Sequence, residues 1–240
     1  MQKNVLFDLD GTLLPMDLQQ FIELYLQAFC RRFAQELQLD PHTLVKGIWD
    51  GADAMAKNDG SCLNRELFWQ AMSLRCGRDM RQYEEAFDGF YRKEFVEAKR
   101  ATWVNPCAAA TVRLLKERGC RLIVATNPLF PEAATFARLR WAGLDPKDFD
   151  RVTLYDNCTF SKPDLRYYRE ICDVCGISPE ESLMVGNDVD EDMCASQLGF
   201  DTYLITDCLI NRSGKDISRY PHGSFDDFYR SLSGQNDAKQ

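Results

Sequence analysis

Two carboxylates, Asp8 and Asp10, interrupt the apolar run VLFDLDGTLL at residues 5 to 14. An unpaired charge is costly to bury in a strand covered on both faces, so acids in such a run point to chemistry rather than packing. Side chains alternate across a strand, which puts Asp8 and Asp10 on one side, and Gly11-Thr12 takes the chain out of the sheet directly after them. The competing reading is a strand that ends in a solvated turn with Asp10 as the turn former. Further polar groups follow other strand-like runs: Thr126 and Asn127 at the end of CRLIVATN, Lys162 in TFSKPD, and Asp188 in VGNDVDED. Each alone is a common turn or helix start. Ligands of open α/β sheets bind at the carboxyl ends of the strands, so these distant positions are expected to converge in one crevice.

The chemistry of that set is definite. An acidic pocket repels a phosphate dianion unless cations neutralise it, and Lys162 with Mg²⁺ would do so. Mg²⁺ takes oxygen ligands in octahedral geometry, which Asp8, Asp188, a main-chain carbonyl near Asp10 and waters would provide. The Thr126 hydroxyl and Asn127 amide suit the non-bridging oxygens of a phosphate, and Gly11 lets the backbone approach closely. Asp192, one helical turn beyond Asp188, would hold a metal-bound water or Lys162. Asp190 and Glu191 read as an acidic first turn that complements a helix dipole.

The elements that must position these groups follow from periodicity. After Pro15, MDLQQFIELYLQAFCRRFAQEL repeats apolar residues at spacings of three and four, and Asp40-Pro41 opens another helix with a cap and an N-terminal proline. NRELFWQAMSLRC and DMRQYEEAFDGFYRKEFVEAKR continue the pattern, so residues 16–100 read as a four-helix bundle with no strand. From Trp103 the rhythm alternates. Helices are expected over Pro106–Arg118, Pro131–Gly143, Asp164–Cys175 and Glu191–Leu198, and strands at CRLIVATN, RVTLYD, SLMVGND and TYLIT. The fold class is therefore α/β: a Rossmann-like parallel sheet with helices on both faces, made of residues 1–15 and 101–240, with the bundle inserted as a second domain.

Composition excludes several classes. The 240 residues are 45% hydrophobic and carry a net charge of −8, so a full core forms and no basic face exists to neutralise a nucleic-acid backbone. No apolar stretch reaches the roughly 18 to 20 residues that span a bilayer, and no secretory pattern opens the chain, so a soluble, cytoplasmic protein without a membrane or nucleic-acid partner is expected. Ten cysteines are scattered; Cys172 and Cys175 have CxxC spacing, but within a helical pattern and without a second pair, and read as small buried hydrophobes. His42 and His222 have no triad or metal context. The tail SGQNDAKQ is polar and expected to be disordered.

DLDGT, VATN, SKPD and GNDVDED, in this order, resemble the four motifs of the haloacid dehalogenase superfamily, and the helical insertion after the first motif looks like its type 1 cap. Two departures stand out: Asn187 between Gly186 and Asp188, and Leu165 where many relatives have proline. The resemblance implies that Asp8 is a nucleophile forming an aspartyl-phosphate and that Asp10 is general acid, then base. It also implies that the Asp10 main-chain carbonyl, Asp8 and Asp188 hold Mg²⁺, with Asp192 behind them. The expected activity is hydrolysis of a small phosphorylated metabolite.

A phosphomutase would use the same residues, and a catalytically silent metabolite-binding module is the reading from another class. Dehalogenation does not need the second acid, and phosphonate cleavage calls for a cap lysine, for which Lys46 is a weak candidate. The cap is expected to close over the site and select the leaving group. Arg31, Arg32, Lys46, Arg65, Arg75 and Arg78 are candidates for a second anionic group but read as solvated helix charges, and Trp49, Phe68 and Trp69 as bundle core.

Overall fold

The computed structural model describes residues 2–234. Its centre is a six-stranded sheet in the order β3-β2-β1-β4-β5-β6, with every neighbouring pair parallel. The strands are β1 (Asn4–Phe7), β2 (Arg121–Val124), β3 (Arg151–Val152), β4 (Ser182–Gly186), β5 (Asp201–Ile205) and β6 (His222–Gly223). Parallel strands need helical crossovers, and both faces are covered. Strand alternation sorts the core: Leu6, Ile123 and Met184 pack with Tyr167, Tyr168 and Ile171 of α7 (Leu165–Cys175), whereas Val5, Phe7, Leu122 and Val124 face α5 (Pro106–Glu117) and α8 (Phe225–Ser233).

Four α-helices lie between β1 and α5: α1 (Leu18–Phe33), α2 (Pro41–Ala56), α3 (Asn64–Cys76) and α4 (Glu84–Arg92). Asp17 and Asp40 cap the first two, accepting from the backbone N–H of Gln20 and Thr43. Phe21, Tyr25, Phe29 and Phe33, four residues apart on α1, pack with Phe87, Phe90 and Phe95. The two passages between sheet and helices run side by side, with Asp17 N–H donating to Ala101 O at 2.9 Å and Trp103 N–H to Pro15 O at 3.1 Å.

Four expected elements differ. The fourth helical run breaks at Lys93 (φ −123°, ψ −79°), and Glu94–Ala101 continues as a 3₁₀ helix. RVTLYD keeps only two strand residues, because the Asn157 side chain folds back, accepting from Leu154 N–H and donating to Val152 O. Glu191–Leu198 forms no α-helix; a 3₁₀ helix covers Met193–Leu198, since the Asp192 carboxylate takes the Asp188 N–H. Ser233 and Gly234 close α8 rather than starting a tail, and residues 235–240 lie outside the described residues. Among the described residues, all ten cysteines are free, with Cys172 buried, and no helix is long and apolar enough to cross a membrane.

Candidate active site

The order of strands changes direction beside β1: β2 and β3 lie to one side, β4 to β6 to the other. A crevice opens above the carboxyl ends at such a point. Asp8 stands there, its N–H donating to Val185 O at 2.9 Å, so the pairing of β1 with β4 continues up to the carboxylate. Lys162 Nζ donates to Asp8 Oδ1 at 2.9 Å and to Asp192 Oδ1 at 2.6 Å, and all three side chains are buried. Asp192 Oδ2 accepts from the Asp188 N–H at 2.9 Å. The Asp192 carboxylate lies so close over Gly186 that any β-carbon there would overlap it. Burial pushes the Asp192 carboxyl up, to about 7, against the pull of Lys162. Burial alone would lower the Lys162 ammonium, but Asp192 and Asp8 outweigh it and hold it well above the ordinary lysine range.

Asp10 has a different partner, one that the sequence reading did not single out. Arg138 of α6 (Glu132–Trp141) is 1% exposed and forms an ion pair with Asp10 Oδ2. Its Nη2 donates to Thr135 Oγ1 at 3.2 Å and Nε to Ala134 O at 3.4 Å, while the guanidinium lies 4.4 Å from the Phe130 ring centre. Burial raises the Asp10 carboxyl above its ordinary value although Arg138 draws it down. Asp10 Oδ1 is buried and has no hydrogen-bond partner among the described residues. The signal for Arg138 lay in spacing: it falls on the buried face with Ala134, Thr135 and Leu139, and its neighbour Arg140 does not.

Asp188 Oδ1 accepts from the N–H groups of Asp190 and Glu191 at 2.8 and 2.9 Å, and Oδ2 from Arg212 Nη1 at 3.0 Å. Asn187, the departure from the motif, is buried: Thr12 Oγ1 donates to its Oδ1 at 3.0 Å, its Nδ2 donates to Cys208 O, and its side chain fills the space a β-carbon on Gly11 (φ +88°) would need. It ties the first motif to the loop after β5. Thr126 is buried and fixed through its carbonyl, which accepts from Thr153 Oγ1 at 2.7 Å and the Tyr167 hydroxyl at 2.9 Å.

One reading needs correction. Glu191 is not an exposed helix-dipole acid, because no α-helix starts there. Asn127 Nδ2 donates to its Oε2 at 3.0 Å, and burial raises its carboxyl above the ordinary range. The Asn127 amide, expected to face a phosphate, is thus engaged. Asp190, read in the same way, is likewise half-buried with no α-helix behind it, and pairs with Lys215 at 2.7 Å.

Asp8, Asp10, Thr126, Asn127, Asp188 and Asp192 line one cavity of about 240 Å³, together with Glu191 and Arg212. The helices between β1 and α5 form its other side. None of the six candidate cations of the helical segment lines it: Arg31 pairs with Glu97, Arg32 with Glu36, Arg65 with Glu84, Arg75 with Asp50, Arg78 donates to Leu37 O, and Lys46 is exposed. Phe68 and Trp69 are core residues as expected, but they also line the cavity. Trp49 is not core; it is 49% exposed at the cavity edge.

Over 97% of this chain, the fold matches 98% of the structure of a HAD phosphatase from Thermococcus onnurineus, at TM-score 0.60 and 22% identity. The L-2-haloacid dehalogenase from Xanthobacter autotrophicus matches at TM-score 0.56 and 18% identity, over 98% of this chain and 99% of that one. The HAD hydrolase YfnB from Bacillus subtilis, solved bound to magnesium, matches at 0.58 and 18%, over 97% and 99%. Among curated proteins, glyceraldehyde 3-phosphate phosphatase from Methanothermobacter thermautotrophicus is 30% identical over 121 residues, 47% of this chain and 52% of that protein. The chain thus spans about half the length of that relative. A sequence model of the family matches residues 2–197, and the chain belongs to the haloacid dehalogenase-like hydrolases.

Proposed function

We propose that this hydrolase is a Mg²⁺-dependent phosphatase that cleaves a phosphate monoester through an aspartyl-phosphate on Asp8, residues 16–100 acting as a cap over a core of residues 1–15 and 101–240. The observation that carries this reading is the buried bridge of Lys162 between Asp8 and Asp192, with Asp10 on the same side of β1 and one of its oxygens unpartnered. The curated phosphatase and the magnesium-bound structural neighbour support it.

The donor set fits a hard cation. Two carboxylates, Asp8 and Asp188, with the Asp10 carbonyl and water would supply the oxygen ligands such an ion takes. Mg²⁺ would neutralise the phosphate and leave phosphorus open to an anionic nucleophile. Lys162 holds Asp8 in place and adds a fixed positive charge beneath the phosphoryl group. An Asp8 carboxylate oxygen attacks phosphorus, the bond to the alcohol oxygen breaks, and Asp10 gives that oxygen a proton. Water then attacks the phosphorus of the aspartyl-phosphate, Asp10 takes its proton, and the bond to Asp8 breaks. Burial favours the protonated Asp10 that donates, and Arg138 the carboxylate that accepts.

A phosphomutase must hold a second phosphate away from the reacting one, and among the described residues the cap side of the cavity presents no cation for it. A silent phosphate binder would gain affinity by losing the acids that repel its ligand.

The Asp10→Asn variant tests the reading. With an alkyl phosphate, whose alkoxide needs a proton to leave, activity falls by about 10²-fold or more. With p-nitrophenyl phosphate the variant releases about one nitrophenolate per enzyme in a burst and then slows, because the base for water is gone. EDTA abolishes wild-type turnover and Mg²⁺ restores it. Alkyl phosphate hydrolysis at the wild-type rate in Asp10→Asn, or full turnover without metal, would sink the mechanism.

A further inference from the structure

The two sides of the cavity differ in a way that bears on the substrate. Every charged side chain that lines it comes from the sheet side: Asp8, Asp10, Asp188, Glu191, Asp192 and Arg212. The helical side contributes Phe21, Ile22, Trp49, Met55, Phe68 and Tyr91 among others, all uncharged. Its polar atoms are largely engaged: the Tyr25 and Tyr91 hydroxyls bond each other at 3.0 Å, and the Trp69 indole N–H donates to Glu84 at 3.1 Å. Phe130, from the loop before α6, completes the wall beside Arg138.

A sugar or glycerol phosphate whose hydroxyls lie against the helical wall would leave them short of partners, at a cost that discriminates against it. A carboxylated or twice-phosphorylated substrate would place a charge against aromatic and aliphatic carbon. The volume suits a ring: an apolar cavity of about 150 Å³ takes up benzene, and this one, at about 240 Å³, must also hold the phosphate on its acidic side, which leaves space of that order against the helical wall.

We infer that the physiological substrate is a phosphate monoester of an uncharged, predominantly apolar alcohol, of about the bulk of a substituted aromatic ring or a medium alkyl chain, bound with that group against the helical wall. This rests on the phosphatase reading and adds to it the class of leaving group. It departs from the substrate in the name of the curated relative, a small polar aldehyde phosphate.

Primary alkyl phosphates from ethyl to hexyl share nearly the same leaving-group chemistry, so the trend of kcat/KM along them reports the wall alone. The expected result is a rise of about two- to fourfold per methylene until the cavity is full, with glycerol 3-phosphate and phosphoglycolate below propyl and ethyl phosphate by about 10-fold or more. Trp49 is half exposed, so Trp49→Arg tolerates the change in fold; it should flatten the alkyl series and raise phosphoglycolate relative to ethyl phosphate.

Binding of non-hydrolysable alkylphosphonates, read by the fluorescence of Trp49 and Trp69, gives a second measure that needs no turnover, and affinity should rise along the same series. A flat or falling series in both measurements, or glycerol 3-phosphate used at least as well as propyl phosphate, would overturn the inference while leaving a phosphatase. Phosphonate affinity that rises with chain length, in a protein that hydrolyses no ester including p-nitrophenyl phosphate, would keep the apolar subsite and remove the phosphatase reading instead.

Discussion

On the sheet side of the cavity, Asp8, Asp10, Asp188 and Asp192 each face a lysine or arginine, and three of the four pairs involve a cation that is itself almost wholly buried. On the helical side the charges turn outward into surface pairs such as Arg31–Glu97 and Arg75–Asp50, and the cavity meets carbon. The two sides have divided the work. Buried charges hold a fixed geometry because each would be costly without its partner, whereas an apolar wall constrains volume and polarity but not a single hydrogen-bond pattern. One side is suited to chemistry on a phosphate, the other to choosing what the phosphate is attached to.

The largest expected effect breaks the sheet side at its centre. Asp8→Asn should give neither a burst nor turnover with p-nitrophenyl phosphate while its circular dichroism stays that of the wild type; residual bursts would mean that phosphorus is attacked from elsewhere. Arg138→Met comes next. It leaves Asp10, a half-buried carboxylate, without its cation, so denaturant unfolding should show a loss of about 2–4 kcal/mol, less than for a fully buried pair. Adding Asp10→Asn to that variant should recover part of the loss, because the uncompensated charge goes with it. An Arg138→Met protein as stable as the wild type would make this pair a surface-like contact after all.

A smaller effect tests the joint between the two sides. Asn64 of α3 is fully buried; Asn58 Nδ2 donates to its Oδ1 at 2.8 Å, and its Nδ2 donates to Ser161 Oγ at 3.1 Å, next to Lys162. Asn64→Ala removes both bonds from a buried site, although Asn58 Nδ2 keeps Cys62 O and Ser161 Oγ keeps Met55 O, and should cost about 1 kcal/mol. If the helical segment is anchored there, the alkyl phosphate series should also lose part of its slope.

The smallest effect is a pH dependence away from the cavity. Burial pushes the Asp156 carboxyl up to about 6 against the pull of Arg65. Its folded value exceeds its unfolded one, so the protonated form favours folding below about pH 4, and that contribution is lost as pH rises through about 6. Since a third of the side chain is exposed, the cost at neutral pH is below about 1 kcal/mol. Asp156→Asn should therefore raise the melting temperature by at most about 2–4 °C at pH 8 and by nothing measurable at pH 4.

The sequence by itself determined the sheet, the helical insertion and the sheet-side acids, because each rests on a short-range rule. Short continuous apolar runs ending at Asp8, Thr126 and Asp188 specify strand ends, NRELFWQAMSLRC gives α3 over the same residues, and Asp40-Pro41 marks the start of α2. The same rule gathers Lys162 and Asp192 near Asp8 at the carboxyl ends of the strands, but that Asp192 takes Lys162 rather than a metal-bound water, and that Lys162 also reaches Asp8, the tertiary structure decided. What only the tertiary structure decided are the partnerships that cross elements far apart in the chain. Spacing separates Arg138 from Arg140 by face, but only the packing of α6 gives the first its partner, Asp10. Glu191 reads like its neighbour Asp190 until the turn before Met193 points one at Asn127 and the other at Lys215. The aromatic stripe of α1 likewise carries no mark of which rings fill the core and which face a cavity. Helical periodicity fixes a face; whether that face meets another side chain or a ligand depends on the opposing surface, which a local pattern does not contain.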